Sequence, residues 1–92
     1  MTDIATHETY PAVIKRLRRA DGHLRKIITM IEEDRPCLDI AQQLQAVESA
    51  IAAAKKTLIH DHLDHCLDVA LDPNSKDSRS VVETFKEITK YL

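Results

Sequence analysis

From Pro36 to Leu71 the chain contains no glycine and, after Pro36 itself, no proline. Within that run Ile40, Leu44, Val47, Ile51, Ala54, Leu58 and Val69 recur at threes and fours or their sums. This is the spacing of one apolar stripe on a single helix. Pro36 suits the first helical position, where its missing N–H leaves no bond unmade. At 1.5 Å per residue the helix is ~54 Å long. A lone chain of 92 residues is too small to cover it, so the helix needs a partner.

The remainder of the chain fits an all-helical protein. It holds one glycine and three aromatic residues, with many Ala, Leu, Ile, Lys and Glu. Its length predicts one domain spanning residues 1–92. Residues 1–9 read as a polar, flexible tail that carries His7. A first helix is expected from about Pro11 to Glu33, with Ile14, Leu17, Leu24, Ile28 and Ile31 as its apolar face. The residue before Pro36 is pushed out of helical geometry. The two helices therefore meet in a short connection, with Asp34 the better capping type, and form an antiparallel hairpin. Asp72–Ser75 is a turn cluster. Ser80 and Glu83 fit a capping box that opens a third helix near residue 81, with Lys76–Ser80 as an earlier first turn in the alternative. Val82, Phe85, Ile88 and Leu92 would be its buried face.

Net charge is −2, which by itself does not point to nucleic acid. Its uneven distribution leaves room for such a partner without establishing one. Lys15, Arg16, Arg18, Arg19, Arg25 and Lys26 crowd the first helix with only Asp21 opposing them, while carboxylates collect at Glu32–Asp34 and between Asp61 and Asp77. Such a strip can neutralise phosphates with salt-dependent affinity, although a charge run is more often a solvated face. Gly22 in mid-helix costs ~1 kcal/mol relative to Ala and marks either a close approach or nothing. His23 has no partner visible in the sequence. Two cysteines are too few to staple a secreted mini-protein. The start of the chain lacks a signal-peptide pattern and no stretch could span a membrane. A cytoplasmic location, with both thiols reduced, is the expectation.

His62 and Cys66 are four residues apart and share a helix face. They make a sound half-site for a thiophilic metal, although a cysteine on a helix is often only a small hydrophobe. Cys37 lies in the first turn of the long helix, where free N–H groups and the helix dipole favour a thiolate. It precedes His62 by 25 residues and Cys66 by 29. Both offsets come within ~20° of whole turns, yet span ~38 and ~43 Å along the axis. One unbroken helix cannot close this triad, whereas two copies packed antiparallel can. The midpoint falls near Ala50 and Ile51, amid Ala46, Ala52, Ala53 and Ala54, whose small side chains permit close helix approach. A two-fold axis there would build two sites per dimer. Two sulfurs and one imidazole suit Cu(I), or Zn(II) with a fourth ligand. His60 and His65 point away from His62 and read as surface residues. No nucleophile–base–oxyanion set is apparent, which argues against an enzyme.

The segments RLRRADGHLRKIITMIEEDRPCLDI, QLQAVESA and HDHLDHCL resemble the bacterial CsoR/RcnR family of metal- and thiol-responsive repressors over about residues 13–71. The Cys37, His62, Cys66 spacing resembles its copper-sensing branch. The resemblance implies three helices per chain, a four-helix-bundle dimer built on the long central helix, and a homotetramer made as a dimer of dimers. It implies operator-DNA binding by the apo protein and release on Cu(I). It adds Lys55 and Lys56 to the basic surface, Glu83 as a residue supporting the metal, and His7 near where nickel and cobalt sensors place a ligand. Two other readings stand beside copper sensing. One is a repressor of the same build that senses Ni(II) or Co(II), or that takes sulfane sulfur from a persulfide by linking Cys37 and Cys66. The other is a helical copper-buffering module without DNA binding.

Overall fold

A computed structural model describes residues 9–72, Asn74 and residues 78–92, and all its regular elements are helical. Helix α1 runs Tyr10–Glu32, α2 runs Cys37–Leu71 and α3 runs Ser78–Ile88, followed by a 3-10 turn over Thr89–Tyr91. The tail residue His7 lies outside the described residues. Helix α2 is uninterrupted over 35 residues, as its missing breakers require.

The α1–α2 connection closes differently from the sequence expectation. Asp34 does not cap α2; it ends α1, in the left-handed region at φ 56°. Its N–H donates to the Ile31 carbonyl at 3.1 Å, and the Arg35 N–H donates to Met30 at 3.0 Å. This bond pair is a Schellman motif, which usually places glycine where Asp34 stands. Asp tolerates that backbone because its short polar side chain adapts locally. Pro36 then sits one residue before α2, and its carbonyl accepts from the Ile40 N–H at 3.2 Å. Asp34→Gly is expected to stabilise the fold by about 0.5–1 kcal/mol, because glycine carries no Cβ penalty at φ > 0. Urea unfolding at fixed protein concentration would show a higher midpoint with an unchanged m-value.

The chain divides into two compact units, one of them Pro11–Lys55. Within it α1 and the first part of α2 form the expected hairpin, and His23 Nε2 meets Gln43 Oε1 across the pair at 2.6 Å. Antiparallel counting from that pair sets Ile27 within one residue of Ile40, Ala20 of Val47 and Val13 of Ala54. Val13, Ala20, Ile27, Val47 and Ala54 are all buried and Ile40 is half-buried. Each helix thus contributes a seam with a seven-residue spacing, the pattern of coiled-coil packing.

The expected apolar face of α1 is not the buried one. Ile14, Leu17, Leu24, Ile28 and Ile31 are all exposed, with Ile28 at 55%. They lie beside the Val13–Ala20–Ile27 seam as a second stripe. Helix α2 repeats the arrangement: Leu44, Ile51 and Leu58, seven apart, are exposed next to the buried Val47 and Ala54. The buried seam of α1 is Val13, Ala20 and Ile27, so side-chain size does not mark which half of the stripe the chain packs.

The second unit joins Lys56–Leu92 with the described residues Thr9 and Tyr10. Ile59 and Cys66 are buried in it. Beyond α2, Asp72 Oδ1 accepts from the Asn74 N–H at 2.9 Å, a side-chain turn within the expected turn cluster. Helix α3 starts at Ser78, in the earlier first turn that was the alternative to the capping box, so Ser80 is helical and its carbonyl accepts from Thr84 Oγ1 at 3.1 Å. Val81, Phe85 and Ile88 are half-buried, while Val82 and Leu92 are exposed. The half-buried stripe thus runs through Val81, Phe85 and Ile88, at i, i+4 and i+7, and leaves out the expected Val82 and Leu92.

Candidate functional site

His62 and Cys66 occupy successive turns of α2. The Cys66 side chain is only 3% exposed. Burial pushes its thiol up from the ordinary cysteine range, because a thiolate loses hydration there. His62 is half-buried, and its Nε2 is a buried nitrogen with no hydrogen-bond partner among the described residues. An imidazole nitrogen buried without a partner is costly unless something else completes it. A thiophilic cation beside Cys66 would do so. These donors therefore fit a soft metal.

Cys37 is exposed, in the first turn of α2. Among the described residues no three His, Cys, Asp or Glu side chains converge as a metal site within the single chain. Helix α2 has no break between Cys37 and His62. His60 is exposed and His65 half-buried. Glu83 is exposed on α3.

The two thiols should differ sharply in reactivity. The thiolate is the nucleophile, and both burial and a raised thiol pKa withhold it. Timed alkylation of reduced, metal-free protein, read by mass spectrometry, is expected to modify Cys37 at least ~10-fold faster than Cys66 at neutral pH. The Cys66 rate should climb with pH, because deprotonation is what its surroundings oppose. Equal rates would mean that Cys66 is as open as Cys37.

The basic residues of α1 divide by face. Lys15, Arg16, Arg18 and Arg19 are all exposed, as are Lys55 and Lys56 of α2. Arg25 is tied to Asp21 at 3.2 Å, an exposed i,i+4 pair that contributes little stability. Arg16, Arg19 and Lys26 line adjoining recesses beside α2 together with His23. The His23–Gln43 bond was not legible in the sequence, because it depends on the register between two helices. No helix among the described residues is long and apolar enough to cross a membrane.

A family described as metal-sensitive transcriptional repressor matches residues 9–92. The chain is 42% identical over 60 residues to a copper-sensing transcriptional repressor, CsoR, of Mycobacterium ulcerans (strain Agy99), covering 65% of this chain and 51% of that protein. It is 47% identical over 53 residues to the copper-sensing transcriptional repressor RicR of Mycobacterium tuberculosis (strain ATCC 25618 / H37Rv), covering 58% and 55%. Over 80 residues it is 34% identical to the copper-sensing transcriptional repressor CsoR of Bacillus subtilis (strain 168), covering 85% of this chain and 79% of that protein. The chain thus spans about half the length of the mycobacterial relatives.

Proposed function

Because the chain belongs to the metal-sensitive transcriptional repressors, regulators rather than enzymes, we propose that it is a copper-responsive repressor. The metal-free protein holds operator DNA and releases it when Cu(I) binds Cys37 of one chain with His62 and Cys66 of another. The whole of residues 1–92 acts as one regulatory domain in the cytoplasm. The observation that carries this reading is the unpartnered, buried Nε2 of His62 one turn from the buried Cys66 thiol. Copper sensing by the relatives points the same way.

The exposed stripes support the assembly. A hairpin that buries one seven-residue seam and exposes a second on each helix has the surface of half a four-helix bundle. Two such hairpins would cover each other's Leu17–Leu24–Ile31 and Leu44–Ile51–Leu58 seams. That antiparallel packing would also bring opposite ends of α2 together. Dimers would then pair into a tetramer and present the basic residues of α1, with Lys55 and Lys56, to phosphates.

The test is DNA release. Reduced protein on a labelled duplex from its own promoter, followed by anisotropy under anaerobic conditions, is titrated with Cu(I), Ni(II), Co(II), Zn(II) and a persulfide donor. Release at stoichiometric Cu(I), and by none of the others at that level, is the expected result. Release by persulfide with a Cys37–Cys66 link, or by nickel or cobalt in a His7-dependent way, would replace copper as the inducer. Failure to bind the promoter at all would leave a copper-buffering module.

A further inference from the structure

Two thiolates and one imidazole satisfy Cu(I), but they leave a divalent ion one donor short. Zn(II) among nitrogen and sulfur ligands is held by four donors in a tetrahedron. Helix α2 carries one more nitrogen donor beside the pair. His65 stands at i+3 from His62 and next to Cys66, so on an unbroken helix it is one turn from His62. At 100° per residue it lies ~60° round the axis from His62, whereas His60 and Asp64 lie ~160° round, and both of those are exposed. The sequence reading sets His65 on the surface; the structure half-buries it. Its ring has no hydrogen bond or ion pair among the described residues.

We propose that His65 is the fourth ligand for a divalent cation at this site, so that Zn(II) is held by Cys37 of one chain with His62, His65 and Cys66 of another, while Cu(I) leaves His65 out. The buried, unpartnered Nε2 of His62 and the buried Cys66 thiol mark where the ion sits. An i+3 side chain borders both the i and the i+4 position of a helix, so His65 is placed to reach the same ion. Among the described residues no three donors converge in the single chain, so the His65 ring must change rotamer to join the other two. That turn breaks no bond, because the ring makes none. Two sulfurs with two nitrogens in a tetrahedron are a zinc set. Cu(I) prefers the soft sulfurs and gains little from a further nitrogen. Copper therefore uses three donors and zinc four, and His65 is the residue that separates the two counts.

This role for His65 rests on the reading of His62 and Cys66 as metal ligands, and the experiment distinguishes failure of one from failure of the other. Reduced protein is loaded anaerobically with Co(II), a spectroscopic substitute for Zn(II). Thiolate-to-Co(II) charge-transfer absorption reports the sulfurs, and each coordinated histidine gives one hyperfine-shifted imidazole N–H resonance in proton NMR. Wild type is expected to show charge transfer and two such resonances per site, and His65→Ala charge transfer and one. In chelator competition His65→Ala should lose at least ~10-fold in Zn(II) affinity, since even groups that only support a ligand act on that scale. Its Cu(I) affinity should stay within about 3-fold of wild type, which also shows that the variant is folded. Charge transfer with a single shifted resonance in wild type keeps the metal-site reading and overturns the fourth ligand. Co(II) binding without charge transfer overturns both. Two resonances in wild type and variant alike, or equal Zn(II) affinity, removes His65 from the ligand set. Equal losses of Zn(II) and Cu(I) affinity overturn the distinction between the two metals.

Discussion

Cys37→Ala is expected to leave promoter affinity within about two-fold of wild type while Cu(I) affinity falls at least ~100-fold, so that stoichiometric Cu(I) no longer releases DNA. The separation of effects follows from where the residue sits. Cys37 is exposed in the first turn of α2, so its loss removes no packing within the chain. The cationic recesses are built from the face of α1 that carries Arg19, His23 and Lys26. A soft ion held by two thiolates and an imidazole cannot keep its affinity with one sulfur gone. Cys66→Ala should lose copper response equally, but its side chain is buried, so part of its effect could be on folding. Cys37 is therefore the cleaner substitution. The measurement is paired: Cu(I) affinity by competition with a chromophoric chelator, and promoter affinity by anisotropy. Release by the variant at stoichiometric Cu(I) would remove Cys37 from the ligand set.

Leu24→Glu should take the assembly apart. Leu24 sits in the middle of the exposed stripe of α1, flanked one heptad away by Leu17 and Ile31. Burying a leucine contributes about 1.5–3 kcal/mol, and a two-fold interface counts each substitution twice. Replacing that gain with an unpaired carboxylate adds a desolvation cost of several kcal/mol. Together these predict a dimer dissociation constant raised by a factor of 1,000 or more by order of magnitude. Sedimentation velocity should show monomer at micromolar concentration, with promoter binding lost in parallel. Ile51→Glu, in the corresponding stripe of α2, should do the same. An unchanged sedimentation coefficient for both would mean that these stripes are covered by something other than a second copy.

The helices were legible because their signals are local. The absence of breakers between Pro36 and Leu71 fixes α2 to within a residue of its observed start, and the proline at 36 fixes the gap before it. Two local readings failed because a second local option was available. Asp34 is a good residue for opening a helix, but it closes α1 with a left-handed backbone instead. Ser80 and Glu83 have capping-box spacing, but α3 begins at Ser78, in the earlier first turn over residues 76–80 that was the alternative. What the sequence could not give was register. Whether Val13 or Ile14, Ala20 or Leu24 faces α2 depends on how the turn sets one helix against the other, and so does the His23–Gln43 contact. Periodicity identifies an apolar stripe wide enough for two seams without saying which seam the chain buries itself. At the metal site, the i,i+4 relation of His62 and Cys66 was readable from spacing. The orphaned Nε2 was not, because it depends on burial.

The central claim is that each copper site is shared between chains, and a mixed dimer tests it most directly. Cys37→Ala and His62→Ala chains, carrying different tags, are co-expressed and the doubly tagged dimer is isolated. In it one site takes Cys37 from the His62→Ala chain and His62 with Cys66 from the Cys37→Ala chain, so it is whole, while the other lacks both replaced ligands. One tight Cu(I) per mixed dimer, against none for either parent and two for wild type, is the predicted result. A mixed dimer that binds no tight Cu(I) while wild type binds two would contradict the shared site.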